Sequence, residues 1–259
     1  MPEILEVESY RQAAEAVVGR VVAQVHAPDD WFTKGETTPD LLRTVLFGAR
    51  VCGTRRIGKL MLVDTDGPVV GLRFGMTGRL LVDGRAPIEA LMYSSDQDDP
   101  AWDRFGLEFR EGGAMIIRDP RRLGGVELDP DESRLGPDAA QLTPARLRDA
   151  LGASVAPLKA RLLDQSRVAG LGNLLVDESL WRAGIAPVRP AGSLDDRERS
   201  RLLRAIRRTL ALLGERGGSH TGDLQPARIR GGSCPRDGTE LRREPVGGRT
   251  TYWCPVHQR

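Results

Sequence analysis

The hydrophobic pattern of this chain changes period once, and that change constrains the fold more tightly than any other feature. Up to residue 129, short apolar runs rich in β-branched residues recur between turn residues, at 21–26, 49–55, 60–64, 69–74, 107–110, 114–118 and 126–129. Runs of this length and spacing read as strands of an antiparallel sandwich or barrel. A helix over 3–18 precedes them and another near 40–47 interrupts them. Pro, Asp, Gly and Ser then crowd residues 130–142, which read as a linker. Beyond it the period becomes helical, over 144–151, 156–163, 174–183 and 194–213, the first of these with Thr143 as N-cap and Pro144 in the first helical position. Residues 239–249, flanked by Cys234 and Cys254, predict a β-hairpin. The expected architecture is an α+β multidomain chain without internal repeats. It has an N-terminal antiparallel β-sandwich with flanking helices over 1–130, a helical domain over 131–225 and a C-terminal β-hairpin finger over 226–259.

The 259 residues, 40% of them hydrophobic, suffice for two domains or one large one with a real core. No stretch approaches the ~20 uninterrupted apolar residues of a membrane span, and the acidic N-terminus lacks the regions of a signal peptide. A soluble cytoplasmic protein with no membrane partner is expected. Three cysteines exclude a disulfide framework. Cys52 lies in an apolar run and is expected in the core, whereas Cys234 and Cys254 look like metal ligands. The net charge of +2 argues weakly for a nucleic-acid partner, but residues 226–259 hold seven Arg against three acids, so the tail is a basic module. Only Lys34, Lys59 and Lys159 are lysines among 38 basic residues, which reflects arginine-favouring codon usage and draws attention to the lysines that are kept.

Three segments carry chemistry. In Met1-Pro2-Glu3-Ile4-Leu5-Glu6, loss of Met1 makes Pro2 a terminal secondary amine. An α-amino group titrates near ~8 rather than a lysine's ~10.4, so part of it is an unprotonated nucleophile at neutral pH, able to attack a sugar C1′. Glu3 and Glu6 share one helix face; the alternative is an ordinary helix start with acids complementing the dipole. Val168-Ala169-Gly170-Leu171-Gly172-Asn173 joins two helical patterns through a tight turn whose glycines and helix N–H groups suit a phosphate, with Asn173 as cap or donor. The same turn also reads as a plain helix–turn–helix corner. Arg118-Asp119-Pro120-Arg121-Arg122-Leu123-Gly124-Gly125 predicts a rigid loop displaying guanidiniums and an apolar tip, which suits an enzyme that fills the gap left by an extruded nucleotide. Charged loops are usually just solvated. Met76, in Gly75-Met76-Thr77-Gly78, is either a second wedge or core.

Together these motifs resemble the formamidopyrimidine-DNA glycosylase/endonuclease VIII family of base-excision repair enzymes, essentially end to end. The Met-Pro-Glu start with Glu6, Arg-Arg-x-x-Lys at Lys59, Gly-Met-Thr-Gly, Asp-Pro-Arg-Arg-Leu-Gly, Leu-Asp-Gln-x-x-Val-Ala-Gly-Leu-Gly-Asn and Gly-Gly-Arg-Thr-Thr-Tyr-Trp-Cys-Pro all occur in family order. The resemblance implies a β-sandwich, a helix–two-turn–helix domain and a finger, with double-stranded DNA containing oxidised bases or abasic sites bound across the cleft between the halves. It also implies a monomer associated with the nucleoid and no catalytic cofactor. By position, Pro2 would be the Schiff-base nucleophile and Glu3 the general acid/base. Glu6 would be structural, bonded near the turn around Gly170 and Gly172. Lys59 would contact phosphate and assist β-elimination, and Arg249 would aid δ-elimination while gripping phosphate with Asn173. Met76, Arg121 and Leu123 would fill the void, and Lys159 falls at a family position among the DNA-binding residues. The implied function is removal of oxidised bases through a proline Schiff base, with β,δ-elimination of the strand.

Departures shape the expectation further. Leu5 stands where many formamidopyrimidine enzymes have proline and Leu123 where they have an aromatic wedge, which leans toward endonuclease VIII-like relatives or a separate branch. The segment 215–233 is short where 8-oxoguanine-specific members carry a long lid, so ring-opened purines, hydantoins or oxidised pyrimidines are expected ahead of 8-oxoguanine. The usual four finger cysteines become Cys234, Asp237, Cys254 and His257, in two x₂ pairs separated by sixteen residues. Zinc accepts thiolate, imidazole and carboxylate in a tetrahedron, so a structural zinc is expected, the alternative being a zincless hairpin held by Tyr252 and Trp253. Two rival functions are a non-catalytic binder of damaged or abasic DNA and a sequence-specific regulator.

Overall fold

The computed structural model describes residues 2–88, 91 and 99–259. They form two compact units: Pro2 with Glu6–Glu132, and Glu3–Leu5 with Ser133–Arg259. The division falls inside the segment read as a linker, yet that segment is not a free tether. Ala139 and Leu142 are buried in the second core, and the Asp138 side chain accepts from Ala140 N to cap the short 3₁₀ turn Ala139–Gln141.

The first unit is an antiparallel sandwich. One sheet has the order β1 (Val22–His26), β6 (Asp103–Phe109), β7 (Ala114–Arg118), β5 (Arg79–Val82). The other has the order β2 (Val51–Ile57), β3 (Leu60–Thr65), β4 (Val70–Arg73), β8 (Gly125–Leu128). Every strand pairing is antiparallel. Phe105, Leu107 and Ile117 from the first sheet meet Met61, Val63 and Leu72 from the second in one core, each such side chain contributing roughly 1.5–3 kcal/mol by leaving water. Helix α1 (Ile4–Ala14) adds Val7, Tyr10 and Ala14 at spacings of three and four. Helix α2 (Pro39–Leu46), started by the Thr38 side chain accepting from Leu41 N and by Pro39 in its first turn, adds Leu42 and Leu46.

Two expectations fail in this unit. Strand β5 was not foreseen, because Leu80, Leu81 and Val82 are buried in succession and show no alternation. Cys52, expected in the core, is exposed. Its neighbour Val51 takes the inward position, and the pairing of β2 with β3 shifts register between Val51 and Gly53, so the apolar run does not map onto one face.

The second unit is helical: α3 (Pro144–Leu151), α4 (Leu158–Leu163), α5 (Asn173–Ala183) and α6 (Asp196–Glu215). Thr143 caps α3 through Arg146 N, and Asp195 with Glu198 forms a reciprocal capping box on α6. The chain ends in a hairpin of β9 (Arg242–Val246) and β10 (Arg249–Trp253). Its two-residue turn, Gly247–Gly248, has φ of +60° and +72°, as a hairpin turn matching strand twist requires. Arg249 therefore starts β10 directly beside the hairpin tip.

Lys159 holds this hairpin from behind. Its side chain is fully buried, with Nζ 2.7 Å from Asp177 Oδ1, and it donates to Thr251 Oγ1 (2.7 Å) and the Thr250 carbonyl (3.4 Å). Arg228 pairs with the other oxygen of Asp177. Burial pushes the lysine below its ordinary range, and Asp177 opposes that shift. The expectation that Lys159 contacts DNA is thus corrected: an ammonium with no exposed surface, committed to a carboxylate and a threonine, positions the hairpin instead. Removing one partner of a buried pair typically costs about 3–5 kcal/mol. Lys159→Met is expected to lose that much stability in urea unfolding, with faster amide exchange in 249–253; a loss below about 1 kcal/mol would show that the pair is not holding the hairpin.

Candidate functional site

The N-terminal residues are organised by one carboxylate. Glu3, with no exposed surface, accepts from three backbone N–H groups at the start of α5: Gly172 (2.7 Å) and Leu175 (3.2 Å) on Oε2, and Leu174 (2.8 Å) on Oε1. A helix start leaves such donors without partners and carries partial positive charge, so a carboxylate there makes charge-assisted bonds. The turn is shaped around it. A Cβ on Gly172 would lie 2.2 Å from Glu3 Cδ, and one on Gly170, where φ is +112°, would lie 2.7 Å from Ile4 Cδ1. Ile4 N donates to the Gly170 carbonyl at 3.1 Å. Gln165 ties the same turn from inside, accepting from Gly170 N and donating to the carbonyls of Leu163 and Leu171.

This geometry changes one sequence-level reading. The amides that suited a phosphate are occupied by Glu3, so the turn is a protein–carboxylate site. Glu6 is a buried residue in the first turn of α1. Pro2 is buried beside Glu3 in the chain. Met1, whose removal the reading invokes, lies outside the described residues. Asn173 opens α5 and donates through Nδ2 to the Thr250 carbonyl at 3.2 Å, the same carbonyl that Lys159 reaches. The glycine turn and the hairpin carrying Arg249 are thereby joined within the second unit.

In the first unit a second buried carboxylate, Asp119, assembles the expected void-filling residues. Oδ1 accepts from Thr77 Oγ1 (2.5 Å) and Arg121 N (3.2 Å), and Oδ2 accepts from Leu123 N and Gly124 N (2.9 Å each). The turn bearing Met76 and the loop 119–124 are therefore clamped together, so closely that a Cβ on Gly75 would sit 2.4 Å from the Leu123 carbonyl carbon. Met76 is half-buried and Arg121 exposed; Leu123 is 49% exposed, unusual for a leucine inside so rigid a loop. Arg122 faces elsewhere: with φ of +55° it makes a two-pronged pair with Asp29 at 2.7 and 2.5 Å. Burial would raise the Asp29 carboxyl, but the Arg122 guanidinium outweighs it and holds the group below its ordinary range. The structure thus separates the two consecutive arginines into an anchor, Arg122, and a displayed group, Arg121. Lys59 lies in the Gly58–Lys59 turn between β2 and β3, half-buried. Arg56 supports that turn by donating to the Gly58 carbonyl (2.9 Å) and to Glu8 (3.0 Å).

At the C-terminus the four expected ligands converge. Cys234 Sγ lies 3.5 Å from His257 Nδ1, which lies 3.2 Å from Asp237 Oδ2, which lies 3.3 Å from Cys254 Sγ. One ligand atom from each of the four lies within 4.8 Å of every other. A tetrahedral centre with bonds of about 2.0–2.3 Å has edges of roughly 3.3–3.8 Å, so the donors fit a metal ion. Surrounding bonds orient them. His257 Nε2 lies 3.2 Å from the Trp181 carbonyl, which places the ring proton there and leaves the Nδ1 lone pair to face the other ligands; the Trp181 indole donates to Cys234 Sγ at 3.4 Å. The Thr239 N–H, first among several groups, holds the Asp237 carboxyl far below the ordinary range, while burial pushes the Cys254 thiol up. Tyr252 also packs here, against a small core of Trp181, Leu224, Leu241 and the two cysteines, so apolar packing and ligand geometry coincide.

Sequence reasoning missed Asp119, Gln165, Asp177 and Trp181. Asp119 offered a signal: an aspartate ahead of Pro and Gly favours turns in which its carboxylate accepts from following N–H groups.

Known proteins resemble this chain over its whole length. Residues 1–126 match the family model described as the formamidopyrimidine-DNA glycosylase N-terminal domain, and residues 135–223 match the formamidopyrimidine-DNA glycosylase H2TH domain. Curated formamidopyrimidine-DNA glycosylases from Rhizorhabdus wittichii and Carboxydothermus hydrogenoformans are 36% and 32% identical, each alignment covering 100% of both chains. Among solved structures, a complex of the LlFpg protein with THF-DNA and an inhibitor has a TM-score of 0.83 at 27% identity over 100% of both chains. The Lactococcus lactis Fpg with DNA containing an abasic site has a TM-score of 0.81 at 26% identity over 99% of both. The same enzyme with Fapy-dG-containing DNA has a TM-score of 0.81 at 27% identity, over 99% of this chain and 100% of that one.

Asp119→Ala is expected to strip the acceptor from three backbone N–H groups and Thr77, each orphaned group costing about 1–3 kcal/mol. Hydrogen exchange at Leu123 and Gly124 should accelerate at least tenfold relative to strands β6 and β7. Uniform acceleration, or none, would show that Asp119 does not clamp the loops.

Proposed function

The chain belongs to the formamidopyrimidine-DNA glycosylase family, and from that premise we propose how its residues carry the DNA glycosylase and abasic-site lyase activity. After loss of Met1, the Pro2 nitrogen lone pair bonds to C1′ of the damaged nucleotide. The glycosidic electron pair leaves with the base, which takes up a proton, and opening of the sugar ring gives an iminium. Loss of a C2′ proton then expels the 3′ phosphate, and a second elimination expels the 5′ phosphate. The observation that carries this reading is the fixation of Glu3: its three amide bonds tether the neighbouring amine to a rigid helix start, which reduces the motional freedom lost on reaching C1′. Glu3 delivers and removes protons during base loss and ring opening. Lys59 and Arg249 stabilise the phosphates that leave in β- and δ-elimination, and Asn173 grips the backbone beside them.

Met76, Arg121 and Leu123 fill the stack behind the extruded nucleotide, supported by the clamp that holds their loops together. Oxidised bases are the substrate class, ring-opened purines first among them, in line with the Fapy-dG-containing DNA bound by the Lactococcus lactis structure. Within residues 215–233, where a lid would stand, the chain is tied down at three positions: Asp223 and Leu224 donate their N–H groups to Glu178, and Asp223 pairs with Arg182 and Arg216. That supports a pocket read by few mobile backbone donors. The metal at Cys234, Asp237, Cys254 and His257 is zinc, which accepts all three donor types and here has a structural role in presenting Arg249.

Borohydride reduces an iminium to a stable amine. Wild-type protein is expected to form a trapped adduct with abasic-site duplex, and Pro2→Gly to form it at least tenfold more slowly with duplex binding retained. Binding without any adduct would make the chain a non-catalytic binder of damaged DNA. Arg121→Ala should slow excision of a stacked lesion by about tenfold or more while leaving cleavage at a preformed abasic site within threefold, because unstacking costs a few kcal/mol only where a base is stacked; equal losses would make Arg121 a phosphate contact. Protein purified without chelator should carry close to one zinc per chain, and Cys254→Ser should lose it and melt at lower temperature. Substoichiometric zinc with unchanged melting would establish a zincless hairpin held by packing of Tyr252 and Trp253.

A further inference from the structure

A cavity of about 530 Å³ lies in the second unit, beside the metal-ligand cluster, and its charged lining is five arginines and one acid, Asp223. Arg201, Arg204 and Arg208 project into it from the exposed face of α6 at spacings of three and four residues, and Arg182 and Arg236 come from α5 and the finger. Its floor is Trp181, with the Arg236 guanidinium 4.4 Å from the ring centroid. Internal acids account for only part of this charge. Arg182 is committed to Glu178 (2.8 Å) and Asp223 (2.6 Å), and Arg201 has Glu198 at 3.9 Å. Arg204 and Arg208 have no ion pair or hydrogen bond among the described residues.

Five guanidiniums around one concavity, two of them without a partner, repel one another and focus positive potential into the cavity. A multiply charged anion relieves that repulsion, and guanidiniums hold phosphate oxygens in two-pronged bonds that an ammonium cannot make. We propose that this cavity is a binding site for a short linear polyphosphate group, free or carried by a nucleotide. Its volume lies within the roughly 300–1,000 Å³ typical of small-ligand pockets. A duplex is a convex rod whose phosphates would reach the rim arginines but not Trp181 and Ala205 at the bottom. The site also touches the finger. Trp181 contacts Cys234 and His257, and Arg236 stands between Cys234 and Asp237 with its N–H directed at Cys234 Sγ at 3.4 Å. A ligand pinning Arg236 against Trp181 therefore stiffens the segment that holds the metal ligands, so occupancy registers in the stability of the finger.

The test is calorimetric titration of the full, metal-containing chain with inorganic tripolyphosphate at fixed ionic strength. One saturable site per chain is expected, at least tenfold tighter than sulfate. It should weaken at least tenfold in Arg204→Gln/Arg208→Gln, a change confined to exposed side chains that leaves melting temperature and abasic-site cleavage unaltered. The ATP triphosphate should compete for it, and both ligands should raise the wild-type melting temperature. Unchanged affinity in the double variant would overturn the proposal, as would tripolyphosphate and sulfate binding equally. Displacement of tripolyphosphate by undamaged duplex, with a parallel loss of duplex affinity in the variant, would overturn it in favour of a DNA track. Equal capture of a poly-glutamate peptide would overturn it in favour of an acidic protein partner.

Discussion

The capping of α5 by the Glu3 carboxylate is the interaction on which the functional architecture depends. A carboxylate with no exposed surface loses several kcal/mol of hydration, and only bonds to well-aligned donors recover it. Here three N–H groups of one helix start provide that recovery, at roughly 1.5–3 kcal/mol for each bond to a charged group. The requirement propagates outward. Gly172 must lack a side chain for Glu3 to reach the amides, Gly170 must turn with a positive φ against Ile4, and Gln165 must hold the loop between them. The proposed nucleophile, the Pro2 nitrogen, needs no separate support, since Pro2 immediately precedes Glu3 in the chain.

Two other buried carboxylates repeat the device. Asp119 gathers the N–H groups of its own loop and the hydroxyl of Thr77, leaving Arg121 and Leu123 to project. Asp177 pairs with Lys159 and Arg228 beneath the hairpin, while Lys159 and Asn173 fasten the Thr250 carbonyl next to Arg249. In each case the anchoring charge is hidden and fixes the backbone that carries a side chain of the proposed site, so loop residues inherit the precision of a packed core.

Much of this was legible from local pattern. The helices of the second half end within two residues of their expected bounds because caps are local: Thr143, Pro144 and the Asp195–Glu198 box act over one turn. The four metal-ligand candidates were readable because their spacing is itself the signal, and they do converge. What was not legible depends on partners distant in the chain. Glu3 meets Gly172 across 169 positions, so nothing near either residue says that a carboxylate, not a phosphate, occupies the turn. Lys159 reads as a DNA contact because it falls at a family position; its burial is decided by Asp177 and Thr251, the latter 92 residues away. Cys52 and β5 failed because consecutive apolar residues do not announce which face they take.

The central claim is that Glu3, held by the α5 amides, sets the position of the Pro2 amine. Gly172→Ala tests it most directly, since the added methyl falls on the Glu3 carboxyl carbon at 2.2 Å and its three nearest atoms all belong to Glu3. The measurement is the rate of borohydride-trapped adduct formation on abasic-site duplex, beside duplex affinity. The account predicts a fall of at least tenfold in trapping with affinity changed by less than threefold. Trapping at the wild-type rate in a folded Gly172→Ala protein would contradict it.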